Sequence, residues 1–128
     1  MEFDELRKAY QAFNDRDAEA LVALAHPEVE LHPLVASVTS TAPWVGHDGL
    51  RRLVDDTSRR WLRFDLRCDD QMDFGDRAVA FVRVSTQVDA EAPLIEGDVA
   101  HLLEFDGGLL RRFVAYRDRE DAIRAAGG

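Results

Sequence analysis

Apolar residues recur with two different periods along this chain, and the change of period separates a helical first half from a sheet-forming second half. Phe3, Leu6, Tyr10 and Phe13 return at helical spacing, with Glu2, Asp4, Glu5, Arg7 and Lys8 left for the wet side, so residues 2 to 14 are expected to form an amphipathic helix. Asn14 and Asp15 break it. Asp17 can cap a second, shorter helix that carries Leu21 and Leu24, and Pro27 is expected to close it because the residue before a proline avoids helical geometry. Val29 to His32 reads as a short strand. Residues 33 to 47 contain two prolines, a Thr-Ser-Thr run and Trp44 without a steady period, which predicts a loop lying over an opening. Asp48 then caps a third helix, whose Leu50, Leu53, Val54, Thr57 and Trp61 fall on one stripe.

From residue 64 the period shortens to two. Phe64, Leu66, Cys68, Met72 and Phe74 alternate with polar residues, and Asp70 falls in the apolar phase. Either Asp70 is a buried acid or the strand bulges there; two successive aspartates are poor strand formers, which favours the bulge. Gly75-Asp76 is a turn. Ala78 to Val82 is apolar on both faces, as a central strand should be, and Ala90 to Glu96 connects it onward. Asp98 to Asp118 reads as two strands joined at Asp106-Gly107-Gly108, since such a turn needs positive φ. In the last strand Leu109, Phe113 and Ala115 oppose Leu110, Val114 and Tyr116. One face is expected to meet the helices and the other a second subunit. Glu120 to Ala126 adds a terminal helix.

Within the first strand of that pair Val99, His101, Leu103 and Phe105 share a face, so one histidine stands in an apolar row. It is either a core histidine satisfied by backbone groups or a chemical centre. Composition narrows the choices around it. The chain of 128 residues fits one domain, and its only cysteine, Cys68, excludes an internal disulfide and reads as a small buried hydrophobe. A net charge of −9 argues against a nucleic-acid partner, and the arginines at 51, 52, 59, 60, 63 and 67 are interleaved with aspartates as on a solvated surface. No apolar run is long enough to span a bilayer, and the M-E-F-D-E-L-R-K start lacks a signal-peptide core, so a cytoplasmic protein without a membrane partner is expected. The four histidines show no H-x-x-x-H or H-x-H spacing, and there is no glycine-rich phosphate cradle or nucleophile elbow, so neither metal nor cofactor is expected.

The order of two helices, short strand, helix and long antiparallel strands is α+β. With Y-Q-A-F-N-D-R-D-A-E-A-L-V-A-L at 10 to 24, P-E-V-E-L at 27 to 31, G-H-D-G-L-R-R at 46 to 52 and E-F-D-G-G-L-L at 104 to 110, it resembles the nuclear-transport-factor-2-like superfamily, especially its SnoaL-like and ketosteroid-isomerase-like members. The resemblance spans nearly the whole chain as a single domain, residues 1 to 128. It implies a cone, in which a curved mixed or antiparallel sheet wraps around the N-terminal helices and leaves a pocket at its open end, commonly in a homodimer. In the steroid isomerases a tyrosine of the first helix donates to the substrate oxygen, and Tyr10 matches it. Their general-base aspartate precedes a proline after the short strand, where this chain has His32 before Pro33. Their second donor, a protonated aspartate, lies four residues before the aromatic that precedes the hairpin turn, which here is His101 before Phe105.

Both aspartates are thus replaced by histidines, and what remains is acid–base chemistry on a carbonyl compound. The resemblance therefore implies a small-molecule protein that encloses an apolar or carbonyl-bearing metabolite and performs a cofactor-independent isomerisation, polyketide-type cyclisation or dehydration. Tyr10 and His101 would face a developing oxyanion and His32 would move the proton. Trp44 as a lid, with Trp61, Val99 and Leu103, would line the pocket. The alternative is a ligand-binding or dimerisation module of the same fold without chemistry.

Overall fold

A computed structural model describes residues 2–33 and 43–127. The chain runs α1 (Phe3–Asn14), α2 (Ala18–Leu24), β1 (Ala25–His32), β2 (Trp44–Val45), α3 (Gly46–Arg60), β3 (Arg63–Asp73), β4 (Arg77–Gln87), β5 (Ile95–Asp106), β6 (Leu109–Tyr116) and α4 (Arg119–Ala126). The strands form one mixed sheet, ordered β2-β1-β6-β5-β4-β3, in which β1 pairs parallel to β6 and every other pairing is antiparallel. The architecture is α+β, as expected.

Several boundaries differ from the local signals. Helix α2 ends at Leu24 because Ala25 is already extended, so Pro27 lies inside β1 and does not close the helix. Helix α3 starts at Gly46 behind an extended Val45, with no side-chain cap; Asp48 lies within its first turn and pairs with Arg51. The two residues of β2 fall in the stretch read as loop, since Leu31 of β1 offers Trp44 a ladder partner. The rest of that stretch, 34–42, lies outside the described residues. Strand β5 begins at Ile95, three residues before the expected start.

The β3–β4 ladder shifts between Cys68 and Asp70, so Asp70 marks a bulge and is exposed rather than a buried acid. A shift of one residue exchanges faces. Before it Phe64, Leu66 and Cys68 pack with Leu6 and Tyr10; after it Phe74 packs with Ala122 and Ala126 of α4 on the opposite face. That outer face, expected to meet a second subunit, is covered by α4 over Val79, Phe81, Ala100 and Leu102.

Because β3 is a sheet edge, its outward backbone groups need partners. Asn14 supplies two: its Nδ2 donates to the Leu66 carbonyl and its Oδ1 accepts from the Leu66 N–H, both at 2.8 Å. Arg16, which holds a left-handed φ of 58°, adds a bond from Nη2 to the Phe64 carbonyl at 2.8 Å. The end of α1 thereby acts as a short extra strand. Asn14→Leu removes both Asn14 bonds and strands two backbone groups, so it is expected to destabilise the fold by about 1–3 kcal/mol in urea unfolding, whereas Asn14→Asp, which keeps the acceptor, loses less. Leu102→Ala, at a side chain 1% exposed, is expected to cost about 2–5 kcal/mol in the same measurement.

Candidate functional site

The stripe of α1 that faces the sheet carries Tyr10, and the alternation of β5 turns His101 towards it. Their meeting depends on room. The ladder sets His101 between Ala80 of β4 and Ala115 of β6, two small residues that leave space for an imidazole and for the tyrosine ring above it. The Tyr10 hydroxyl lies 2.6 Å from His101 Nδ1, and the Phe113 ring packs against the imidazole with centroids 4.5 Å apart. Both members of the pair are buried, His101 to 4% exposure and Tyr10 to 7%, within an apolar cluster that includes Leu66, Cys68, Val82 and Leu103.

Burial decides the protonation states. Desolvation lowers the His101 pKa from 6.5 to about 3, so the ring is neutral at physiological pH. Burial, with the nearby Cys68 second, pushes the Tyr10 hydroxyl well above its usual range, and burial raises the Cys68 thiol to about 11, which leaves it an inert hydrophobe. A contact of 2.6 Å suits an O–H donor better than a ring N–H. Tyr10 therefore donates to Nδ1, and the imidazole proton is assigned to Nε2. Among the described residues no protein group meets Nε2. The pair presents an uncharged donor set in apolar surroundings, and a base with a pKa near 3 takes up no proton at neutral pH.

His32 is elsewhere. Leu31 pairs with Phe113 and belongs to the concave side, so the next residue, His32, paired with Val114, points to the outer face away from Tyr10 and His101. There its Nε2 lies 3.5 Å from Glu30 Oε1. The Glu30 carboxyl is held below the usual carboxylate range first by Arg111 and then by His32. The expected convergence of three residues is therefore a convergence of two. Trp44 packs on the cluster of Val29, Leu31 and Leu50, which Phe113 also touches, and Trp61 packs edge-on against Phe64 at 5.5 Å. Val99 and Leu103 belong to the same cluster as Tyr10. Phe113 and the two flanking alanines escaped sequence reasoning; the only signal for the alanines was small residues standing in otherwise bulky strands. Among the described residues no three His, Cys, Asp or Glu side chains group to hold a metal ion, and no helix is long and apolar enough to cross a membrane.

The sign of the pH dependence follows from the lowered histidine pKa. Between pH 6.5 and about 3 the unfolded chain binds a proton at His101 that the folded chain does not, so this group's contribution is full above 6.5 and is lost as pH falls through that window. Urea unfolding at pH 7, 6 and 5 is expected to show wild-type stability falling relative to His101→Leu by up to about 1.4 kcal/mol per pH unit. Equal slopes for the two proteins would contradict a buried neutral imidazole.

The profile of the SnoaL-like domain family matches residues 6–113. No curated protein sequence matches the chain. Among solved structures it is similar to an NTF2-like protein of unknown function from Burkholderia pseudomallei, at 22% identity over 96% of this chain and 95% of that one with a TM-score of 0.75. It is also similar to TerC, co-crystallised with polyporic acid, at 21% identity over 94% and 93% with a TM-score of 0.74. RV0760c from Mycobacterium tuberculosis, solved in complex with estradiol-17beta-hemisuccinate, matches at 16% identity over 88% and 89% with a TM-score of 0.71. At such identities the likeness shows the NTF2-like, ketosteroid-isomerase-like fold. With a matched profile over most of its length, the chain belongs to the SnoaL-like domain family.

Proposed function

We propose that this protein binds a small, largely apolar molecule bearing one carbonyl or comparable oxygen acceptor, and that His101 Nε2–H donates to that oxygen. The observation that carries this reading is the buried Tyr10–His101 hydrogen bond, which polarises a neutral imidazole inside an apolar cluster. We place the ligand between the helices, where α1 packs on β3 and α3 on β1 and where Val84, Val99, Phe113 and Ala115 on the intervening concave face are only half-buried. The ligands seen in TerC and RV0760c agree with a binding role for the fold.

Any catalysis would be electrophilic, with the pair stabilising an oxyanion in an isomerisation, cyclisation or dehydration. His101 is too weak a base to move the proton at neutral pH, and His32 faces the wrong side, which favours binding over acid–base catalysis. For a homodimer, the part of the outer face that α4 leaves open, where Arg83 bridges Glu96 and Asp98, is one available surface. Sedimentation reads that mass directly.

The test uses 6-propionyl-2-dimethylaminonaphthalene, a neutral aromatic ketone whose emission responds to polarity and hydrogen bonding. The wild type is expected to bind it with blue-shifted emission. Tyr10→Phe, by removing one neutral hydrogen bond, is expected to weaken binding roughly 2- to 10-fold, and His101→Leu more. Unchanged affinity in folded His101→Leu would refute the donor role.

A further inference from the structure

Gly97 stands inside β5 at neither a turn, nor a bulge, nor a close backbone approach. The glycines with positive φ among the described residues are 46, 75, 107, 108 and 127, so Gly97 makes no left-handed turn. The β4–β5 ladder runs without a shift from Ile95 to Glu104, so it marks no bulge. Nor does another backbone press on it: beyond its chain neighbours, a Cβ added there would meet no atom within 4 Å. A glycine in a strand interior costs about 0.5–1 kcal/mol relative to alanine. Turn, bulge and backbone approach give no return for that cost, whereas the space the missing side chain leaves does.

That space has a definite position. Alternation along β5 sets Gly97 on the concave face with Val99 and His101, and its ladder partner Val84 packs on the same apolar cluster as Tyr10. Gly97 is half-buried, and the space beside it opens on the same face of the sheet as His101. Further out, Ile95, paired with Thr86, is 63% exposed. Leu94, Val88 and Leu62 are exposed at the same end of the sheet, where the Leu62 N–H donates to the Val88 carbonyl at 3.1 Å. From inside to outside the concave face of β5 therefore reads polar donor at His101, apolar wall at Val99, gap at Gly97 and apolar lip at Ile95.

We infer that Gly97 is a specificity-determining residue that sets the length of the ligand. Resting on the reading proposed above, this names the substrate class more narrowly: an elongated, uncharged apolar molecule with an oxygen acceptor at one end. Its oxygen meets His101, and its body lies over Val99 and Gly97 towards Ile95. Four residues of strand cover about 13 Å, room for a fused aromatic ketone substituted at both ends. The exposed lip then serves as an apolar entrance.

Gly97→Ala and Gly97→Val test this without disturbing the fold, because the backbone is extended, the space is empty and valine is the better strand former. Thermal stability is expected to stay level or rise. The long probe is the naphthalene ketone used above and the short one is acetophenone, followed by calorimetry and by the His101 Nε2–H resonance. Wild type is expected to bind both. Gly97→Val should lose affinity for the long ketone by roughly tenfold or more while acetophenone binding stays within about twofold, and Gly97→Ala should fall between. If wild type binds the long ketone and Gly97→Val binds it equally well, the length role is wrong while the donor role stands. If Gly97→Val loses both probes alike, or changes the mass in light scattering without changing binding, the gap serves something other than a ligand's length. If wild type binds neither probe, both readings fall together.

Discussion

A hydroxyl and an imidazole that share a proton inside an apolar cluster constrain everything around them. Alone, the hydroxyl and Nδ1 would each carry the penalty of an unpaired polar atom out of water; together they satisfy one another, provided α1 sits at one height and one rotation on the sheet. Asn14, one turn further along the same helix, fixes that rotation a second time by pairing with Leu66. The two contacts are not equivalent in purpose. One brings the proposed donor into place, and the other covers the edge of β3 at Leu66, so the same helix placement also blunts that part of the edge. Phe3, Leu6 and Phe13 then add area without adding direction.

The sheet has two faces with different partners, and the bulge at Cys68–Asp70 is what lets one strand serve both. Without it the apolar residues of β3 would all fall on the concave side and Phe74 could not reach α4. The outer face is divided as well. Its middle rows lie under α4, while one flanking row runs Arg77, Glu104, Arg112 and Glu30 across four strands in alternating charge. Such a row suits water better than a dry interface, since removing exposed ion pairs from solvent costs more than they return. Any second subunit must therefore find a patch that is neither under α4 nor along this row.

Much of this was written in local patterns. The stripe Phe3-Leu6-Tyr10-Phe13 fixes a helix and its buried face, and Asp-Gly-Gly between alternating segments fixes a hairpin, so the orientation of both Tyr10 and His101 was legible. The D-D pair at 69 and 70 was enough to expect the bulge. His32 was not legible, because the local signal marks only Val29 to His32 of β1 and the strand's face is set by a parallel register with β6 that no local signal encodes. The same holds for Trp44–Val45, which becomes a strand only because β1 offers it a partner. Gly97 and its neighbours were hidden for another reason: Pro93 made Ala90 to Glu96 resemble a connection. Only the β4 ladder reveals that a strand starts at Ile95.

The replacement of an acid by a histidine at position 101 looks drastic in sequence and is mild in physics. The resemblance sets a protonated aspartate there, a donor kept neutral because an apolar site disfavours the carboxylate. Desolvation acts on whichever state is charged: it raises the pKa of a carboxyl and lowers that of an imidazole. In the cluster of Leu66, Val82 and Leu103 both residues end as neutral groups carrying one proton to give, and the donor survives the change of chemistry. What does not survive is acidity, because a neutral imidazole N–H gives up its proton far less readily than a carboxylic acid. In the proposed function the site would hold an oxygen and polarise it rather than protonate it, which is the physical basis for ranking binding ahead of turnover.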